Sequence, residues 1–463
     1  MLVKWSRVRL VLSILTCEGL FATMRERIQY APRAAVDTPK NDKDGLSLIG
    51  IPRYYDYGGA VHVHSTYSDG LGTIPEIAQA ANDAGLDFVV MCDHSSLQAS
   101  HDGLDGWQGK TLVLIGTEIT TTVGHLLAMG VPSTFDTTAS QDAVLVQKNI
   151  LAAGGFGYIA LPCDLKDHWR DFDQREKAIG LEVFNFSAIA RTKINLPTLA
   201  MIWRRYHGSR PLRAFHLVAS RPERELKLWD KLCQPETPGA PMRPVIGIGS
   251  LDAHAVMRFG GREYPFPTYT EVFRTLRTHV VTSSALSYGE TVGYNSTDSA
   301  SDMDLVHGAL RSGHCYISYD NFGDPTGFVF EAFWNGRRGK FTTDDDNRAL
   351  MGDVVTLKTG VESSAENLTL SVRAPRTRTI VRLFRNGQLI CATRGGRLEY
   401  VVKQPGVYRA EVFLYTRRIR NLCFGAKPWV FSNPIYVQSS SVYSGNDSLE
   451  ATPLSSERGM TQL

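Results

Sequence analysis

Cysteine is scarce in this chain, with seven in 463 residues and no Cys-x-x-Cys pair. That excludes a disulfide-stapled scaffold and speaks against a zinc ribbon or a thioredoxin-type redox motif. Charge of one sign is not in excess either. Lys+Arg number 50 and Asp+Glu 47, for a net charge of +3. Nothing in that balance demands nucleic acid or an acidic surface as a partner. No apolar run reaches the roughly 20 residues that a membrane-spanning helix needs, so no integral span is expected. No G-x-S-x-G elbow is present, which removes the commonest signature of a serine hydrolase. No repeat of a solenoid's period is visible. What remains is an ordinary globular mixture, 43% hydrophobic and 21% charged, long enough for two or three domains.

The ends differ from the middle. Residues 1–24 carry Lys4, Arg7 and Arg9 before a short apolar stretch, Leu10 to Cys17. An export signal, a lipoprotein signal ending at Cys17, and a stretch of no structural role before Met24 all fit, leaving export or the cytoplasm open. Residues 25–55 are polar and aperiodic and read as a linker. Residues 441–463 are rich in serine and read as a disordered tail.

From residue 56 to about 320, short apolar strands alternate with amphipathic helices. TIPEIAQAANDAG has helical spacing and closes on Gly85, and LDFVVMCDH reads as a buried strand. TLVLIGTEIT and GHLLAMGV read as two strands or a hairpin, and YTEVFRTLRT as a helix before HVVTSSA. Such alternation predicts an α/β fold, with a length that suits a barrel of seven or eight units. After Tyr319 the period becomes two and no helical stretch intervenes. Asn386-Gly387 between apolar runs marks a hairpin. Residues 325–440 therefore predict an all-β sandwich.

Chemistry-bearing residues cluster at the expected strand ends. His62-Val63-His64 places two imidazoles on one face of a strand. The following loop presents Asp69. Asp93 and His94 end the next strand, Glu118 lies in the GTEIT strand, His125 opens its successor, and Asp252 and His254 again stand two apart. Each alone has a bland reading as a capped turn, a solvated strand residue or a core histidine. Their joint placement at strand ends of one α/β region favours a metal centre, because barrel active sites lie on the C-terminal face. Asp93 reads as a group that orients a histidine, and Asn185 as a weaker polar candidate. Arg258 and Arg262 follow the last motif and could meet an anion. Tyr67, Phe259, Tyr264, Phe266 and Tyr269 could line an apolar mouth.

The stretches HVHSTYSDG, MCDHS, GTEIT with GH following, and SLDAH resemble, in order, the motifs of the polymerase-and-histidinol-phosphatase (PHP) family, over roughly residues 56–318. MGDVVTL, VRLFRNGQ, GVYRAEV and PWVFSNPIYV are similar to the β appendage of its carbaryl-hydrolase-like branch. The resemblance implies a distorted seven-stranded β/α barrel holding two or three divalent ions (Zn, Mn or Fe). It implies that His62, His64 and Asp252 bind a first ion, that Glu118 bridges it to a second served by His125, and that Asp69, His94 and His254 hold a third. Where the family has a further histidine this chain has Leu161, which cannot coordinate a metal. The second ion is then absent or weakly held, or Cys163, Asp164, His168 or water fills in. The reaction implied is hydrolysis of a small-molecule phosphoester or carboxyl or carbamate ester by a metal-bound hydroxide, since a divalent ion lowers the pKa of its water from about 15.7 to about 7. The competing reading is a metal-binding scaffold or binding protein with a degraded site. The oligomeric state is not legible.

Overall fold

The computed structural model describes residues 54–176, 179–208, 211–237, 240–259, 262–287, 297–335, 348–357, 367–419 and 422–439. The expected leader, nearly all of the expected linker and the expected serine-rich tail lie outside them. All described residues belong to the unit Val36–Leu463.

Alternating strands and helices build a mixed α/β region. Its strands are β1 (Tyr55–Val63), β2 (Phe88–His94), β3 (Gly106–Gln108), β4 (Thr111–Thr120), β5 (His125–Met129), β6 (Phe156–Ala160), β7 (Gly180–Asn185) and β8 (Gly247–Ser250). β1, β2 and β4 are parallel neighbours, as are β6, β7 and β8. β5 runs antiparallel between β4 and β6, so TLVLIGTEIT and GHLLAMGV do form a hairpin. The chain leaving β8 returns to β1. Leu251 and Ala253 donate to the carbonyls of Val61 and His62, and His64 donates to Ala253.

The connecting helices follow local rules. Thr73 caps the helix Ile74–Ala84 in a reciprocal box with Glu76, and Gly85 closes it at φ 70°, where a β-carbon would be strained. Its Ile74, Ile77, Ala78, Ala81 and Ala84 face the core at helical spacing. One expected helix is much shorter. YTEVFRTLRT is helical only at Tyr269–Val272, and a strand begins at Leu276. That strand is buried along its whole length between β1 and its successor, so tertiary pairing overrides the local periodicity.

Two further short strands, β9 (Met257–Phe259) and β10 (Arg262–Tyr264), form a hairpin. β11 (Leu276–Thr282) then pairs antiparallel with β1, and β12 (Cys315–Tyr319) with β11. The antiparallel region begins after β12, and the large sheet continues into it. The strand Lys427–Ser432 pairs with β12, so one sheet runs from the first region into the second. A separate antiparallel sheet carries Val329–Asn335, Arg348–Leu350, Asn367–Arg373 and Arg397–Val401. Phe330, Leu370 and Leu398 from it share one apolar core with Leu383, Tyr408, Val412 and Val430 of the large sheet. Asn386 and Gly387, both at positive φ, make the hairpin turn read from the sequence.

Side chains also cross between the regions. Asn433 exchanges hydrogen bonds with both backbone groups of Gly247 in β8. Arg409 holds Asp230 of the helix Glu223–Leu232 in a fork at 2.6 and 2.8 Å, and Arg221 reaches Glu411 at 2.6 Å. Among the described residues no helix is long and apolar enough to cross a membrane.

Candidate metal centre

Register places the polar residues on one rim of the sheet. His94 ends β2 directly beside Glu118 of β4. β5 runs the other way, so its first residue, His125, lies at the same rim, opposite Thr120. Asp252 and His254 arrive on the segment that returns from β8 to β1. His62 in β1 and His64 just past its end do not follow the plain strand alternation. His62 sits at φ 65° in an irregularity between Val61 and Val63, yet its ring and that of His64 are 4.9 Å apart. Leu161 and Asp252 also have positive φ, a concentration of left-handed non-glycine residues at these strand ends.

Two groups of ligand atoms result, each close enough to surround an ion. One comprises His62, His64 and Asp252, and the other His64, Asp69, His94 and His254. His64 belongs to both. Glu118 lies at the centre of the crowd. Its Oε2 is 3.2 Å from His62 Nε2, 3.5 Å from His64 Nε2 and 3.1 Å from His94 Nδ1, and its Oε1 is 3.6 Å from His125 Nδ1. Asp69 Oδ1 is 3.0 Å from His254 Nε2 and 3.5 Å from His94 Nε2. The floor is closed and the rim open. The side chains of His62 and His64 are 0% exposed, whereas those of His94 and Asp69 are 41% and 38%.

The supporting hydrogen bonds set ring orientations. Glu182 Oε1 lies 2.7 Å from His62 Nδ1, leaving Nε2 turned toward Glu118 and Asp252. Asp93 accepts from the Ser65 N–H, the Ser65 hydroxyl and the Ser68 hydroxyl at 2.6–2.7 Å. Ser68 Oγ, its proton given to Asp93, can accept from His64 Nδ1 at 3.4 Å. Asp93 thus orients a histidine through a serine. The Tyr269 hydroxyl donates to the His64 carbonyl at 2.8 Å. Gly70 is needed in this loop because a β-carbon there would stand 2.3 Å from the His64 carbonyl oxygen.

These contacts pull neighbouring histidines apart in basicity. Burial opposes charge on His62, but Glu182 and Glu118 outweigh it and hold the ring well above the ordinary value. Burial together with the nearby rings of His62 and His254 holds His64 well below it. Glu118 is held well below the usual carboxylate range, its burial outweighed by His62, His94 and His64. Burial raises Asp252. His64 Nε2 is buried and has no hydrogen-bond partner. A neutral imidazole nitrogen, bare and facing carboxylates and further imidazoles, is the donor set a divalent cation takes, so the residues fit a metal.

Other expectations fall elsewhere. Leu161 turns its side chain into the core, while its N–H donates to Glu182 Oε2 at 2.9 Å. Its backbone therefore supports the centre without offering a ligand. Cys163 belongs to neither ligand group, and burial pushes its thiol up to about 11. His168 belongs to neither group. Asp164 binds Arg191 at 3.0 Å. Arg262 is exposed on the β9–β10 hairpin, and the side chains of Arg258 and Phe259 lie outside the described residues. Tyr67 bonds Asp102, and Phe266 packs on Tyr206 and Phe215. Asn185 caps the helix Phe186–Lys193 and holds Glu182 at 3.1 Å. Sequence reasoning missed Glu182 and Arg191. The first carried a signal, a lone carboxylate inside the apolar GLEVF strand. The second, 3.6 Å from Asp252, carried none.

No family model and no curated protein matches the chain. Among solved structures it is similar to a two-domain protein from Bacteroides vulgatus containing a predicted PHP-like metal-dependent phosphoesterase (13% identity, 77% of this chain and 90% of that one, TM-score 0.35). It is also similar to a candidate metal-dependent phosphoesterase from Bifidobacterium adolescentis (15%, 44% and 88%, TM-score 0.25). A third is an amidohydrolase from Chromobacterium violaceum (12%, 46% and 92%, TM-score 0.25).

Proposed function

We propose that the chain is a metal-dependent hydrolase of the PHP type, its seven strands β1, β2 and β4–β8 closed into a barrel by the return of residues 251–253 to β1. The observation that carries this reading is the bare, buried Nε2 of His64, a residue at the junction of two groups of potential ligands. His62, His64 and Asp252 would hold one ion, and Asp69, His94 and His254 another. A divalent ion there supplies Lewis acidity and acidifies a bound water.

The chain's own residues then have distinct tasks. Glu182 fixes His62 with Nε2 inward. Asp93, through Ser68, holds the proton of His64 on Nδ1. Glu118, kept ionised among histidines, is the central negative charge. Arg191, half exposed and 3.6 Å from Asp252, is a cation placed to meet an anionic substrate, which favours a phosphoester over a neutral ester. A carboxyl or carbamate ester stays within the reading, on the resemblance of the C-terminal region. With Leu161 offering no ligand, the position beside His125 and Glu118 would hold an ion weakly or not at all.

A second reading, a metal-binding scaffold, draws on that same Leu161. Metal analysis of the purified protein beside a panel of p-nitrophenyl phosphate, bis-p-nitrophenyl phosphate, p-nitrophenyl acetate and a naphthyl carbamate separates them. Bound metal with turnover of a phosphoester supports the hydrolase. Metal without turnover on any of the four supports the scaffold, and absence of metal rejects both.

A further inference from the structure

The sequence disperses its positive charge, and the fold gathers part of it. Arg204 and Arg205 close the helix Leu196–Tyr206, and Arg213 lies in the turn Pro211–Leu217. Arg376 and Arg378 precede the strand Thr379–Arg385, and Lys427 opens Lys427–Ser432. These six side chains line one groove of about 1220 Å³. No Asp or Glu is among its described lining residues, and it shares no residue with the metal centre.

Two of the cations are seated on aromatic rings rather than on counter-charges. None of the six is in an ion pair among the described residues. Arg376 lies over the Trp429 ring at 5.6 Å, and Lys427 over Phe322 at 4.6 Å. His216 Nε2 donates to the Asn321 carbonyl at 2.8 Å, so its Nδ1 is left to accept from Lys427 Nζ, 3.5 Å away. Burial, and then the proximity of Arg205 and Arg213, pushes Lys427 below its ordinary value. Like charges crowded this way in a protein of net charge +3 are unfavourable until an anion joins them.

Guanidinium groups present forked donors that match phosphate oxygens in pairs. The groove exceeds the roughly 300–1,000 Å³ of ordinary small-molecule pockets, and its volume and six cations are more than one phosphate would occupy. We propose that this groove binds a multiply phosphorylated small molecule, at a site separate from the metal centre.

The test is calorimetric titration of the full-length protein with tripolyphosphate at about 0.15 M salt, where surface charge is screened as in the cell. Arg376→Gln/Arg378→Gln and Arg204→Gln/Arg205→Gln are each expected to weaken binding at least about tenfold. Both should keep the parent melting temperature and metal content. Orthophosphate should bind more weakly than tripolyphosphate. The His62→Ala protein should bind tripolyphosphate as the parent does. Unchanged binding in both double variants overturns the proposal. So does its loss in His62→Ala, which would place the anion on the metal centre. A single-stranded oligonucleotide that outcompetes tripolyphosphate would reassign the groove to nucleic acid and overturn it as well.

Discussion

Two buried histidines of this protein, one in strand β11 and one just past the end of β1, have opposite surroundings. His279 of β11 meets Asp56 at 2.9 Å through Nδ1 and Asp320 at 3.1 Å through Nε2. Asp56 is also bonded by the Tyr316 hydroxyl and the Gly327 N–H, and Asp320 by Arg277. Arg277 in turn donates to the carbonyls of Phe273, Ala84 and Gly85. Although burial disfavours the charge, Asp320 and Asp56 push His279 up to about 9. His64 of the metal centre is as deeply buried but is driven the other way, with one nitrogen left bare. A closed network around His279 ties β1, β11 and β12 together. An open one around His64 leaves bonding capacity for something the chain does not supply. Buried polar groups are costly unless paired, so the open cluster is the one with room for a ligand.

This contrast can be broken in order of expected effect. His62→Ala or Asp252→Ala should empty the centre and lower ester hydrolysis by roughly 10³-fold or more. Parent-level hydrolysis in both proteins would end the assignment. Asp56→Asn should do the reverse. It leaves His279 and Tyr316 half-paired and should cost about 3–5 kcal/mol in denaturant unfolding, with metal content unchanged. Glu182→Gln should have a smaller effect than either, weakening metal affinity about 10–100-fold in a chelator competition. The smallest effect is on pH. Because His279 is raised in the folded state, its contribution to stability is fully present below the ordinary histidine value of 6.5 and is lost as pH rises through about 9. Thermal unfolding of His279→Gln should therefore approach that of the parent as pH goes from 6.5 to 9. A gap independent of pH would show that the ring is held neutral.

Much of the centre was legible because its residues break the rule of their elements. His62, His64, His94, Glu118 and Asp252 are polar groups at the ends of apolar strands, and the fold brings them together with Asp69 and His254. Glu182 broke the same rule and was overlooked because no second ligand-type residue flanked it. Arg191 was illegible, since a basic residue on a short helix looks like any solvated cation. The expected domain boundary near residue 320 was read from a change of period, which reports local structure. The pairing of β12 with residues 427–432 joins positions over a hundred apart, and no local pattern encodes it. The groove of six cations had the same obstacle. Net charge reports a sum and is silent on where the charges meet.

The ladder between β12 and Lys427–Ser432 sets how the protein can be cut. A fragment ending at Tyr319 would present β12 as a bare edge, its N–H and C=O groups free to recruit another chain. It would also lose Asn433, which braces the start of β8. Such a fragment is expected to aggregate rather than retain the metal centre, and the intact protein to melt in one transition. Any minimal unit for crystallography or engineering must therefore carry the chain through residue 439.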